Sequence, residues 1–345
     1  MFTLGAEILP YHDFTLETSL RELANMGFTH VNLWSSRAPL AHHVNPGDDV
    51  AEIKRLLRTY GITPTALTMY GKTQDEMRQR IEFAADLGID TVVFDCEADY
   101  SDFVGSFLPP LLKTCEQVGV RIAVENHLTV PFTGDFETGG HETERWAEGV
   151  DTLAQIKRLI TDIDSPYLGV CVAPPHLWVM NETISEVITF LAERKKLFFY
   201  YVWDIDRSYR RGLDGLNFGP GEGQLPRPDG TLDHGVLLRT LANVGYEGIA
   251  SLKCHGTAGW PLEYVTEQFR RSADYVRGRL TLRPREALVV VRSVERVEAG
   301  RLGALCQPQL ATVVEPLLGL DHEREAHRSR PRPAQAPAAQ APATT

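Results

Sequence analysis

The feature that most constrains this chain is a local pattern that recurs along it. Apolar residues at helical spacing end at a glycine, and an apolar β-type run follows within a few residues. Leu16, Leu20 and Leu23 lead to Gly27 and then to residues 30–34. Ile53, Leu56, Leu57 and Tyr60 lead to Gly61 and residues 65–67. Met77, Ile81, Ala84 and Ala85 lead to Gly88 and residues 91–94. Leu108, Leu111, Leu112 and Cys115 lead to Gly119 and residues 121–124, and Leu237, Leu238, Leu241 and Val244 lead to Gly245 and residues 249–252. Glycine takes the left-handed position that closes a helix. A short, wholly apolar run suits a parallel strand buried on both faces, while each flanking helix needs one apolar stripe to pack on it.

Residues 2–8, 167–172 and 197–202 complete a set of eight strands. Helical stripes at Leu153-Ile156-Leu159-Ile160, at Ile184-Val187-Ile188-Leu191 and over residues 264–276 fill the intervals. The expected fold class is therefore α/β, a (β/α)8 TIM barrel over residues 1–280. An open doubly wound sheet is disfavoured because no Gly-rich phosphate fingerprint follows the first strand. Residues 281–320 lack the repeat and are expected to form a C-terminal extension. Residues 321–345, dominated by charge, Pro and Ala, are expected to be a disordered tail. Two connections are long, residues 126–150 and 204–232. The second, rich in Gly and Pro, reads as a mobile or lid-like loop.

Composition narrows the function classes. Lys and Arg number 35 against 46 Asp and Glu, a formal net charge of -11. Such a chain repels phosphate backbones over its general surface, so nucleic acid is not an expected partner. No window has the length of a membrane span, and the start has neither a basic region nor a long apolar core. Five scattered cysteines (Cys96, Cys115, Cys171, Cys254, Cys306) without a CxxC pair fit reduced thiols. A cytoplasmic protein with a small-molecule substrate is expected.

In a barrel, polar residues just past strand ends enter the mouth where chemistry is placed. Glu125-Asn126-His127 follows the fifth strand, Cys171 to His176 the sixth, Trp203-Asp204-Ile205-Asp206 the seventh, and Lys253-Cys254-His255 the eighth. His127, His176 and His255 are acid/base candidates. Glu7, Trp34, Tyr70, Trp178, Trp203 and Asp204 are candidates to line a substrate pocket, the aromatics by stacking on a ring.

Three segments in order make the sequence similar to the xylose isomerase-like barrel superfamily over roughly residues 1–280. These are Gly27-Phe28-Thr29-His30-Val31-Asn32-Leu33-Trp34, Val120-Arg121-Ile122-Ala123-Val124-Glu125-Asn126-His127, and Gly245-Tyr246-Glu247-Gly248. The resemblance implies a sugar-type isomerase, epimerase or lyase, compatible with a homodimer. It also implies one divalent metal held by Glu after strand five, Asp after six with His three residues on, His after seven and Glu after eight. Carried onto this chain, Glu125 and His176 remain. The other three positions hold Ala173, Trp203 and Lys253. Ala and Trp offer no ligand to a hard cation, and Lys brings its own positive charge.

The expectation is an enzyme that moves a proton beside a carbonyl without the family's metal, with Lys253 as the cation and Glu125 or a nearby His as the base. No cofactor is favoured, though the resemblance leaves room for Mn, Mg or Zn. A metal-dependent alternative rebuilds the ligand set from Glu125, His176, Asp204 and His255. A third alternative is a catalytically silent barrel that binds a ligand or a partner.

Overall fold

The computed structural model describes residues 2–36, 43–71, 73–96, 99–127, 149–206 and 221–281. The described residues belong to one compact unit, Met1–Leu282. The expected extension and tail lie outside them. Eight parallel strands close into a barrel in chain order: β1 (Thr3–Glu7), β2 (His30–Ser35), β3 (Thr63–Met69), β4 (Thr91–Asp95), β5 (Arg121–Glu125), β6 (Leu168–Val172), β7 (Leu197–Val202) and β8 (Ile249–Leu252). Closure comes from β1 pairing with β8, where Thr3 to Ala6 align with Ile249 to Leu252.

The repeat works as its chemistry requires. Gly27, Gly61, Gly88, Gly119 and Gly245, the five glycines of the pattern, all adopt positive φ between 63° and 81°. A side chain there would meet the steric penalty of the left-handed region. The helix starts are equally local. Thr15, Thr73 and Asp233 each accept a backbone N–H from their own first turn, and Asp49 accepts two. Thr152 and Gln155 cap Leu153–Asp162 reciprocally.

Two apolar layers result. Between strands and helices lies the large core, with Leu20, Leu33, Leu67, Val124, Ile156 and Leu238 among its buried members. Inside the barrel a smaller cluster is made by Ala66, Val93, Ala123, Cys171, Phe199 and Tyr201. Residues two further along the inner face are polar: Thr68 after Ala66, Asp95 after Val93, Glu125 after Ala123. The apolar plug thus forms the floor of a polar mouth.

The connection after β7 is the one expected to be a mobile or lid-like loop. Residues 207–220 lie outside the described set, but residues 221–232 are pinned. Asp204 Oδ1 accepts the backbone N–H groups of Ile205, Thr231 and Leu232 at 2.8, 3.2 and 3.1 Å. Ser272 donates to the carbonyl of Pro226 at 2.8 Å, and Tyr264 to the Glu222 carboxylate at 2.7 Å. A Cβ at Gly230 would lie 2.1 Å from Asp204 Oδ2, which explains the glycine. Composition alone signals turns here, and the buried carboxylate that binds them is a tertiary feature.

Asp204→Ala should therefore destabilise the barrel by about 2–4 kcal/mol, because it strands backbone donors that the carboxylate now satisfies. Urea unfolding checks this; a loss below about 0.5 kcal/mol would mean the clamp is dispensable.

Candidate active site

Seven of the eight strands or their ends deliver a polar or aromatic side chain to the mouth, and after β6 the helix Pro174–Val179 supplies His176. At its centre Lys253, from the end of β8, donates to Glu125 Oε1 of β5 at 3.0 Å. Both side chains are 1% exposed. The ammonium lies 3.7 Å from the ring centre of Tyr201, 4.6 Å from Trp203 and 5.4 Å from Trp34. One carboxylate and three aromatic faces together replace the water an ammonium would otherwise keep.

On the β1 side Glu7 is fully buried. Asn32 Nδ2 lies 2.8 Å from each of its oxygens, and the Trp34 indole N–H donates to Oε2. The same Asn32 nitrogen donates to Thr68 Oγ1 at 2.7 Å, and Thr68 is 2.9 Å from the Tyr201 hydroxyl. A polar chain thus runs from β1 through β2 and β3 to β7, ending in a ring that walls Lys253.

On the opposite side stand two imidazoles. His176 Nε2 is 3.8 Å from Glu125 Oε1, and His127 Nδ1 is 3.7 Å from Asp95 Oδ2. Their rings lie 4.3 Å apart between centres. Asn126 staples this side by accepting the Ala173 N–H at 2.7 Å and donating to the Ala173 carbonyl at 3.1 Å. His255 packs 5.0 Å from the Trp203 ring centre. Its backbone N–H shares Gln224 Oε1 with the Trp203 indole, at 3.0 and 3.2 Å.

Burial dominates the titration of these groups. It pushes the Glu7 carboxyl up to about 7, against the opposing pull of Lys253 and the bonds from Trp34 and Asn32. Burial lifts Asp95 to about 6, opposed by its own backbone N–H and by Lys253. His176 and His255 are held well below the usual imidazole range, first by burial and then by neighbouring His and Lys charges. Both are neutral imidazoles near pH 7, able to give or take a proton.

Glu7, Trp34, Glu125, His127, His176, Trp203, Lys253 and His255 are therefore brought together, and Tyr70 joins them by stacking 5.6 Å from Trp34. Trp178, on the helix Pro174–Val179, is 39% exposed. Asp204 is fully buried but spends its carboxylate on the 205–232 backbone, with His234 Nε2 3.4 Å away. Asn32, Thr68, Asp95, Tyr201 and Gln224 were not singled out by the strand-end argument. Asn32 and Thr68 are polar residues inside otherwise apolar strands, a signal that could have found them, whereas Asp95 closes an apolar run and Tyr201 continues one. Gln224 ends the short helix Gly221–Gln224 within the connection after β7 and carries no such signal.

The arrangement is a poor fit to a divalent cation. Lys253 holds one oxygen of Glu125, Ala173 and Trp203 have no donor to offer a hard ion, and Asp204 faces its own loop. Among the described residues no group of three or more His, Cys, Asp or Glu side chains is placed to hold a metal.

Fold and mouth together define a TIM barrel with a polar, ion-paired centre at the C-terminal ends of its strands. The chain belongs to the xylose isomerase-like TIM barrel family, whose model matches residues 20–277. Solved structures of the same fold include an IOLI protein with a bound zinc atom, at TM-score 0.61 and 16% identity over 81% of this chain and 100% of that one. An L-ribulose 3-epimerase matches at TM-score 0.58 and 15% identity, over 84% and 98%. The 3-keto-D-glucoside 4-epimerase YcjR of E. coli matches at TM-score 0.56 and 14% identity, over 81% and 100%. At these identities the likeness is one of fold. No curated protein matches the sequence. No helix among the described residues is long and apolar enough to cross a membrane.

The Glu7 shift makes stability pH-dependent. A carboxyl raised in the folded state from 4.5 to about 7 favours folding at low pH, and its contribution declines as pH rises through that window. Asp95 acts in the same direction over a lower window. Between pH 5 and pH 8, Glu7→Gln should remove about 2–3 kcal/mol of this decline. Urea titrations of both proteins at both pH values test it, and parallel pH profiles would sink it.

Proposed function

We propose that the protein is an isomerase- or epimerase-type enzyme that moves a proton beside the carbonyl of a sugar-like substrate. The observation that carries this is the buried Lys253–Glu125 pair, 3.0 Å apart, at the mouth of a xylose isomerase-like barrel. The epimerases named among the structures of like fold support the substrate class.

The chemistry follows from charge. Removing a proton next to a carbonyl places negative charge on the carbonyl oxygen. A preorganised cation in a site shielded from water stabilises that oxygen more than the ground-state carbonyl. Lys253 supplies the cation, and the surrounding rings exclude water from it. Glu125 is the base nearest to hand. As the ammonium turns to the developing oxyanion, Glu125 loses a partner and gains basicity, so proton abstraction and charge stabilisation are coupled. His176, 3.8 Å from that carboxylate, and His127 beside it are placed to relay the proton. His255 lies on the far side of the Trp203 ring and borders the same space. Return of the proton to the other face of the carbon gives an epimer. Return at the neighbouring, former carbonyl carbon, with the hydroxyl proton of the deprotonated carbon passing to the former carbonyl oxygen, gives an isomer. In this reading the ammonium does the work of the family's divalent ion, so no metal is required for turnover.

Lys253→Met, which keeps length and loses charge, should lower turnover of whichever aldose or ketose the wild-type protein converts by about 100- to 1,000-fold. Circular dichroism and thermal melting must show the variant folded, because opening a buried pair costs about 3–5 kcal/mol. Full turnover in a folded variant would remove Lys253 from the mechanism. A wild-type protein inert towards a broad panel of sugars would remove the reading itself.

A further inference from the structure

Asp95 and Glu125 are aligned partners on the adjacent strands β4 and β5. Both belong to the inward-facing set, at 5% and 1% exposure. Each keeps one oxygen, Asp95 Oδ1 and Glu125 Oε2, that is buried and accepts no hydrogen bond. Buried acceptors are normally satisfied, and a carboxylate oxygen without a donor is among the least favourable groups to leave alone. Two such atoms on residues aligned across neighbouring strands mark the place where a ligand brings donors.

The surrounding charges say what kind of donor. Glu7, Asp95 and Glu125 are three acids; His127 Nδ1 lies 3.7 Å from Asp95 Oδ2, and Lys253 is the one lysine among the described residues bonded at the centre. Its bond goes to Glu125 Oε1, and aromatic faces of Tyr201, Trp203 and Trp34 take up its other sides. The potential at the two bare oxygens is therefore negative. A phosphate or carboxylate there meets repulsion. A hydroxyl offers one donor and no charge. A protonated amine offers three donors and the missing charge, enough to bridge both oxygens.

We propose that the barrel mouth takes a substrate bearing a primary amine, such as an amino sugar, with its ammonium group seated between Asp95 and Glu125. The proposal deepens the reading of the mouth as a sugar site and rests on it. Lys253 and the amine then divide the work: the lysine faces the reacting oxygen, the carboxylate pair recognises the substituent that selects the substrate, and with Glu125 so engaged the base for such a substrate is the neighbouring His176, 3.8 Å from Glu125 Oε1.

Binding alone tests this, with no turnover required. The full-length protein, treated with chelator, is titrated calorimetrically at pH 7.5 with D-glucosamine, D-glucose and N-acetyl-D-glucosamine. D-Glucosamine should bind at least about tenfold more tightly than either neutral sugar. Asp95→Asn should erase that preference, read as the ratio of D-glucosamine to D-glucose affinity within the variant. Equal affinities, a failure of D-glucosamine to bind, or a preference that survives in Asp95→Asn would overturn the proposal. So would tight uptake of Mn2+ or Zn2+ that D-glucosamine blocks, because the carboxylates would then serve a metal. If Asp95→Asn fails to fold, the comparison of amine with acetamide on the wild-type protein decides. Turnover of neutral sugars that Lys253→Met abolishes would preserve the parent reading even when the amine preference is absent.

Discussion

The site is organised by one ion pair that water hardly reaches. Taking an ammonium and a carboxylate out of water is expensive, and their attraction repays it only when the remaining donors and acceptors are also met. Lys253 fulfils this condition unusually, through the faces of Tyr201, Trp203 and Trp34 rather than through further oxygens. Those rings are in turn held by their polar edges. Trp34 donates to Glu7, Trp203 to Gln224, and Tyr201 meets Thr68. Each aromatic wall thus has an apolar face toward the ammonium and a polar handle fixed elsewhere. Substituting any handle loosens a wall before it touches the pair.

That pattern explains why the connection after β7 is built so tightly. Trp203 is an inward residue just past that strand, and its indole is fixed by Gln224, which also receives the N–H of His255 beyond β8. Asp204, the next residue, turns outward from the mouth and gathers the 231–232 backbone, while its own N–H donates to the Gln224 carbonyl at 2.9 Å. Two successive residues therefore lock the same loop from opposite sides. A loop that carries a wall of a charged site cannot wander without exposing the ammonium to water, where its pairing with Glu125 is worth little.

The architecture was legible because it rests on local chemistry. The helix–glycine–strand repeat requires five left-handed glycines, and all five are present. Strand ends were equally legible, which brings Glu125, His127, His176, Lys253 and His255 into view. The sequence did not show direction and commitment. Asp204 sits at a strand end just as Lys253 does, yet its carboxylate is consumed by its own loop. Trp178 follows a strand like Trp203, but a helix turn carries it to 39% exposure. Asp95 drew no notice because a single acidic residue closing Val92-Val93-Phe94 looks like a surface charge. Only the pairing of β4 with β5 sets it beside Glu125.

In the proposed function, a lysine acting where a metal would otherwise act changes more than the identity of the cation. A divalent ion brings two charges and accepts several anionic ligands, so a mouth built around it balances two carboxylates. An ammonium brings one charge and a few directed bonds, and three buried acids then stand against it: Glu7, Asp95 and Glu125. The imbalance must appear somewhere. At Glu7 and Asp95 it appears as carboxyls raised to about 7 and about 6, so protons supply part of the missing charge near neutral pH. At Asp95 Oδ1 and Glu125 Oε2 it appears as bare acceptors. Such a mouth is less stable than a neutral one of the same shape, and retaining it makes physical sense for a site whose ligand restores the charge. The unsatisfied part of the barrel and its chemically competent part are then the same few atoms, those around the end of Lys253.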